Sequence, residues 1–139
     1  MAAAIRDLKL WQEAVALAAE VIRALRVSNR REVKAVVELV MTTAVGVATC
    51  IADGYGRYDA AEQQELYTAA KRELLRLETQ LSIARRADLL GAATDADLST
   101  RAQSVARLLV GYLAYLDRQL SDRDRSPIAA AVARVGETK

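Results

Sequence analysis

Histidine and phenylalanine are absent from the 139 residues, and cysteine, proline and tryptophan occur once each, as Cys50, Pro127 and Trp11. A single thiol makes no disulfide within the chain, and without histidine there is no His-based triad and no Cys/His zinc site. Six glycines and one proline are too few breakers for a sandwich or barrel, which needs a turn every ~8–12 residues. What remains suits long helices: 53% of the residues are hydrophobic and 27% charged, with Ala, Leu, Arg and Glu, all good helix formers, prominent. The length fits one domain, at about 100–200 residues each.

Twenty Lys+Arg against eighteen Asp+Glu leave a net charge of +2, well short of the imbalance that marks a nucleic-acid binder by itself. Sixteen of the twenty cations are Arg, the type that grips carboxylate and phosphate in a bidentate fork. Residues 1–7 lack the basic region and apolar stretch of a signal peptide. The longest charge-free run, Leu39 to Ala52, has fourteen residues, whereas a bilayer takes about 20. A soluble, cytoplasmic chain without a membrane partner is the expectation.

Leu8, Trp11, Val15, Ala18, Ile22 and Leu25 follow a 3-4-3-4-3 spacing, the rhythm of a bundle helix. A second row, Leu10, Ala14, Leu17 and Val21, runs beside it, so this helix has apolar surface for two neighbours. Asn29 with Glu32 has the form of a capping box, placing a second helix from near Arg30. From Val36 to Ile51 that helix carries one charge, Glu38, and is apolar on nearly every side, so it must be surrounded. Gly54 and Gly56 are expected to end it in the left-handed conformation.

Asp59 and Glu62 start a third helix with an inner row of Tyr67, Ala70, Leu74, Leu77, Leu81 and Ala84. Thr94 and Asp97 open a fourth, whose inner row is Leu98, Ala102, Val105, Leu109, Tyr112 and Leu116. Short connections favour antiparallel neighbours, so the expected fold is all-α, an up-down-up-down four-helix bundle over residues 1–120. Residues 121–139 read as a charged hinge, Ser121 to Arg125, then a short helical or disordered tail. In that tail Ile128, Ala131, Val132 and Val135 can line one face for docking. The bundle carries more apolar surface than one copy hides, so a homo-oligomer is expected. Its interface candidates are Leu10, Ala14, Leu17 and Val21 on the first helix and Val37, Met41, Ala44 and Ala48 on the second.

Residues that suggest chemistry have plainer readings. Asp53 to Arg57 has two glycines but no preceding strand and no Lys-Ser/Thr ending, so it is a turn pinned by Asp53 and Arg57 rather than a phosphate loop. Glu62, Glu65, Glu73 and Glu78 share their helix with Arg72 and Arg76 and form an ion-pair face; without His they do not make a helical di-iron site. Cys50 is a packing residue. Trp11, Tyr67, Tyr112 and Tyr115 belong to core or interface, whereas Tyr55 and Tyr58 beside Arg57 are better placed for base stacking. No catalytic residue, metal or cofactor is expected. The nucleic-acid candidates are Arg26, Arg30, Arg31, Lys34, Arg57, Arg72, Arg76, Arg85 and Arg86.

Three segments add a resemblance: Asp7-Leu-Lys-Leu-Trp-Gln-Glu-Ala14, Ile51-Ala-Asp-Gly-Tyr-Gly-Arg57 and Leu77-Glu-Thr-Gln-Leu81. In this order the chain resembles, from about Ile5 to Leu120, the four-helix-bundle family of 23S ribosomal RNA intervening sequence proteins. Accessory proteins of diversity-generating retroelements look like more distant relatives. The resemblance implies a ring-like homopentamer and no catalysis. For the retroelement relatives it implies binding of RNA and a reverse transcriptase through a basic surface. Met41 and Thr42 stand where the family tends to carry two arginines, and Ala48 and Cys50 where it usually has Pro and Asn. The functional expectation is a non-enzymatic assembly module with RNA or an RNA-processing protein as client. The alternative is a protein-partner scaffold that ignores nucleic acid.

Overall fold

A computed structural model describes residues 5–124. Four helices and no strand occur among these residues: α1 (Lys9–Leu25), α2 (Lys34–Tyr55), α3 (Ala60–Arg86) and α4 (Ala92–Asp124), with one 3-10 turn, Arg31–Val33, leading into α2. Each helix packs on the next and α4 packs on α1, while the diagonal pairs α1–α3 and α2–α4 stay apart. That is the contact pattern of a four-helix bundle. The seam between α3 and α4 joins Gln64 near the start of one to Asp117 near the end of the other. Farther along, Glu78 and Leu81 lie beside Ser99 and Ala102.

The inner row of α3 is buried at all six expected positions. On α4, Leu98, Ala102, Val105, Leu109 and Leu116 are buried and Tyr112 is half-buried. On α1 the two rows exchange roles. Leu10, Ala14, Leu17 and Val21 face inward with Ala18 and Leu25, whereas Val15 and Ile22 are exposed and Leu8 and Trp11 lie at the edge. Both rows keep helical period, so only the placement of α2 and α4 decides which one they cover.

Three expectations about the helix ends are not met and one is. The Asn29–Glu32 box does not form: Arg30 precedes the 3-10 turn and caps nothing with its side chain. Asp59 does cap α3, accepting from the Ala61 amide at 3.4 Å. No described glycine has positive φ; Asp88 (φ 63°) takes the left-handed position after α3, where the Leu89 amide donates to the Ala84 carbonyl at 2.9 Å. Residues Ser121 to Asp124, expected as a hinge, continue α4 in helix. The tail face of Ile128 to Val135 lies outside the described residues.

Candidate interface surfaces

The nine candidate cations fall into three groups. The connection from Val27 to Val33 meets the turn Ala87 to Leu89, so Arg26, Arg30, Arg31 and Lys34 share one end of the bundle with Arg85 and Arg86. All are exposed except Arg85, which is half-buried. Arg85 and Arg86 occupy the last turn of α3, where cations also suit the helix dipole. Lys34 is 3.9 Å from Glu38. Arg72 and Arg76 lie midway along α3, with Arg76 paired to Glu73 at 2.9 Å. Arg57 is the one candidate at the opposite end, close in sequence to Asp59, which pairs with Arg123 at 3.7 Å; the Arg57 carbonyl accepts from Gln63 Nε2 at 2.7 Å. The nine candidates therefore divide into one basic end, a mid-helix pair and one arginine at the other end.

The interface candidates need a larger correction. Leu10, Ala14, Leu17, Val21, Val37 and Ala44 are all buried inside the protomer's own core. Met41 and Ala48 are half-buried against it. The apolar surface left over lies one step round each helix. On α2 Val36 is 42% exposed, Leu39 55% and Val45 44%, while Val15 and Ile22 stand out from α1. Thr42 donates its hydroxyl to the Glu38 carbonyl (2.8 Å) and Thr49 to that of Gly46 (3.1 Å), both on this outer side of α2. A helix apolar all round gives no periodic signal for its outer face, so periodicity did not single these residues out. Leu75 on α3 and Val110 on α4, also exposed, did carry a signal as apolar residues among polar ones.

By length and composition the helical stretch Arg31–Tyr55 passes for a bilayer span: 18 of its residues have a mean hydropathy of 1.9, and a third of those are buried in the bundle. The charge-free run alone is shorter than this stretch. Crossing a bilayer would strip Val37, Val40, Ala44, Val47 and Ile51 from the neighbours that bury them.

The glycine turn is a packing device. Gly54 is still helical and buried, and Gly56 takes an ordinary right-handed conformation (φ −74°) with its amide donating to the Ala52 carbonyl at 3.1 Å. Asp53 and Arg57 do not pin the corner with side-chain hydrogen bonds; the Arg57 amide donates to the Gly54 carbonyl at 3.1 Å. Tyr67 is fully buried, with its ring 5.0 Å from that of Tyr112. Tyr112 is 6.0 Å from Tyr115. Tyr58 is fully exposed and Tyr55 half-buried.

Cys50 is half-buried against the core. Burial, then the nearby carboxylates of Glu73 and Asp53, push its thiol up, so it holds its proton at neutral pH. Among the described residues no three carboxylate, thiol or imidazole groups converge as a metal site would require.

No curated protein matches the chain. A family model described as 23S rRNA-intervening sequence protein matches residues 6–111, running from just before α1 through α2 and α3 to Gly111 in α4. The match thus spans the helices that bury the core and both outer apolar faces, and the chain belongs to the 23S rRNA-intervening sequence protein family.

Proposed function

We propose that this chain is a non-catalytic, cytoplasmic assembly module: an antiparallel four-helix bundle whose copies join into a ring-like homo-oligomer through the outer faces of α1 and α2. The observation that carries this is the outer side of α2, where Leu39 and Val45 stay 55% and 44% exposed in the single chain. Exposed apolar side chains on an otherwise packed helix mark an association surface, and a neighbouring copy is the simplest cover. The antiparallel order is supported by the Gln64–Asp117 pairing near one end of the α3–α4 seam and the Glu78–Ser99 neighbourhood farther along it. Five copies is what the family resemblance implies.

Sedimentation of the full chain tests the assembly. The expected mass is several-fold that of one chain, and Leu39→Glu with Val45→Glu reduces it to one. Solitary wild-type particles at micromolar concentration would overturn the reading.

RNA is the proposed client, bound at the basic end. Copies arranged in a ring multiply that end, and phosphate contacts add, giving a steep fall of affinity with salt. Arg30→Ala with Arg31→Ala should weaken RNA binding at low salt, flatten the salt slope by about 2, and leave the oligomer mass unchanged. Absence of binding at low salt removes RNA. The separation of the cations into three groups favours, as the second reading, a protein scaffold without nucleic acid.

A further inference from the structure

The seam between α3 and α4 carries a second apolar surface, distinct from the face proposed for assembly. Leu75 is 64% exposed, the most open leucine of the described residues, and Val110 is 52% exposed. Leu75 and Ala106 border a shallow groove of about 260 Å³ whose rim includes Thr68, Lys71, Arg72 and Glu78. Val110 follows Ala106 by one helical turn and so continues the same face of α4. Drug-sized ligands occupy pockets of about 300 Å³ and upward, so this groove has room for one or two apolar side chains.

Charge decides what those side chains belong to. Lys71 and Arg72 on the rim are exposed, and no ion pair engages them among the described residues. Arg76, beside Leu75 on the outer side, shares its charge with Glu73. Glu78 is the groove's one acid. The groove lining holds no aromatic ring for stacking a base. A phosphate backbone would use the cations but leave Leu75 and Val110 facing solvent or charge.

We infer that the α3–α4 groove around Leu75 docks an acidic amphipathic helix of a partner protein. Leucine-type side chains of that helix seat on Leu75, Ala106 and Val110, and its carboxylates meet Lys71 and Arg72. This is helix-in-groove recognition, with apolar anchors at i, i+3 or i+4, and i+7, and the flanking charges fix orientation and speed encounter. It does not depend on the assembly or RNA readings above.

The test uses the full chain and a fluorescein-labelled helical peptide with leucines on one face and glutamates elsewhere. A peptide of equal composition with its leucines dispersed around the helix is the control, and oligouridine is the competitor. Fluorescence anisotropy should show saturable binding of the first peptide and about tenfold or weaker binding of the control. Leu75→Ser should weaken the first peptide about tenfold, and Lys71→Ser with Arg72→Ser should weaken it and reduce its salt dependence. Equal binding of the two peptides, an unaffected Leu75→Ser variant, or displacement by oligouridine overturns the inference. A fall in oligomer mass on Leu75→Ser also overturns it, because the groove would then belong to a second copy.

Discussion

Gly54 lies flat against the ring of Tyr67: a Cβ on Gly54 would stand 3.1 Å from Cε1 and 3.2 Å from Cδ1 and Cζ. The ring has little room to retreat, being fully buried with Tyr112 at a centroid distance of 5.0 Å. Gly54→Ala should therefore destabilise the fold by about 1–2 kcal/mol from overpacking, net of the ~1 kcal/mol that alanine contributes as a helix former. Gly111, with nothing within 4 Å of a Cβ, is the counter-case. Gly111→Ala should stabilise α4 by about 0.5–1 kcal/mol. Urea midpoints that move in opposite directions would bear out the pair.

The exchange of rows on α1 can be checked by substitution. Leu17, fully buried, should cost about 2–5 kcal/mol on Leu17→Ala, through lost transfer energy and the cavity left behind. Ile22→Ser on the outward row should alter unfolding of the single chain by less than about 1 kcal/mol and act instead on oligomer mass. Equal losses of stability at the two sites would place both rows in the core.

How far the sequence could be read varied with how each helix is dressed. On α3 the six inner residues face a side crowded with Glu and Arg, so one orientation was available and the row was legible in full. On α1 two apolar rows compete, and nothing local ranks them; packing of α2 and α4 does. On α2 the inner positions were hidden because the outer ones are as apolar, which also hid Leu39 and Val45 as the open surface. The cations were legible as residues but not as a surface, because their grouping depends on which ends of the bundle the loops occupy.

Asp88 is the described residue outside glycine with positive φ, at 63°. An L side chain in the left-handed region is strained, less so for Asp than for most. Its negative charge also sits at the C-terminus of α3, the unfavourable end of the helix dipole. Asp88→Gly should raise stability by about 1 kcal/mol, read as a higher thermal midpoint. A drop would mean that the carboxylate makes a compensating contact.

Tyr67 gives the fold an alkaline limit. Its buried hydroxyl makes no hydrogen bond of good geometry, and burial, then the neighbouring Tyr112 and Tyr55, push its pKa well above the ordinary tyrosine value. The unfolded chain releases this proton near pH ~10 while the folded chain keeps it, so stability falls as pH rises above that point. Urea midpoints at about pH 8 and about pH 10.5 should separate by less in Tyr67→Phe than in the parent. At neutral pH the same substitution should lie within about 1 kcal/mol of the parent, because the hydroxyl removed was unsatisfied.

Cys50 offers a simpler readout. With its thiol pushed up by burial and nearby carboxylates, alkylation by iodoacetamide at mildly alkaline pH should be slow in the native chain and speed up on unfolding, since the thiolate is the reacting form. Fast native labelling would show an open, acidic thiol instead.

Thr42 and Thr49 turn their hydroxyl protons back onto the carbonyls of Glu38 and Gly46. With those protons engaged inside the helix, the skin of α2 offers fewer free donors to water than its composition suggests. Adhesion through such a skin is driven by release of water, whose advantage shrinks as temperature falls. Chilling, rather than warming, should be the gentler way to pry copies of this chain apart.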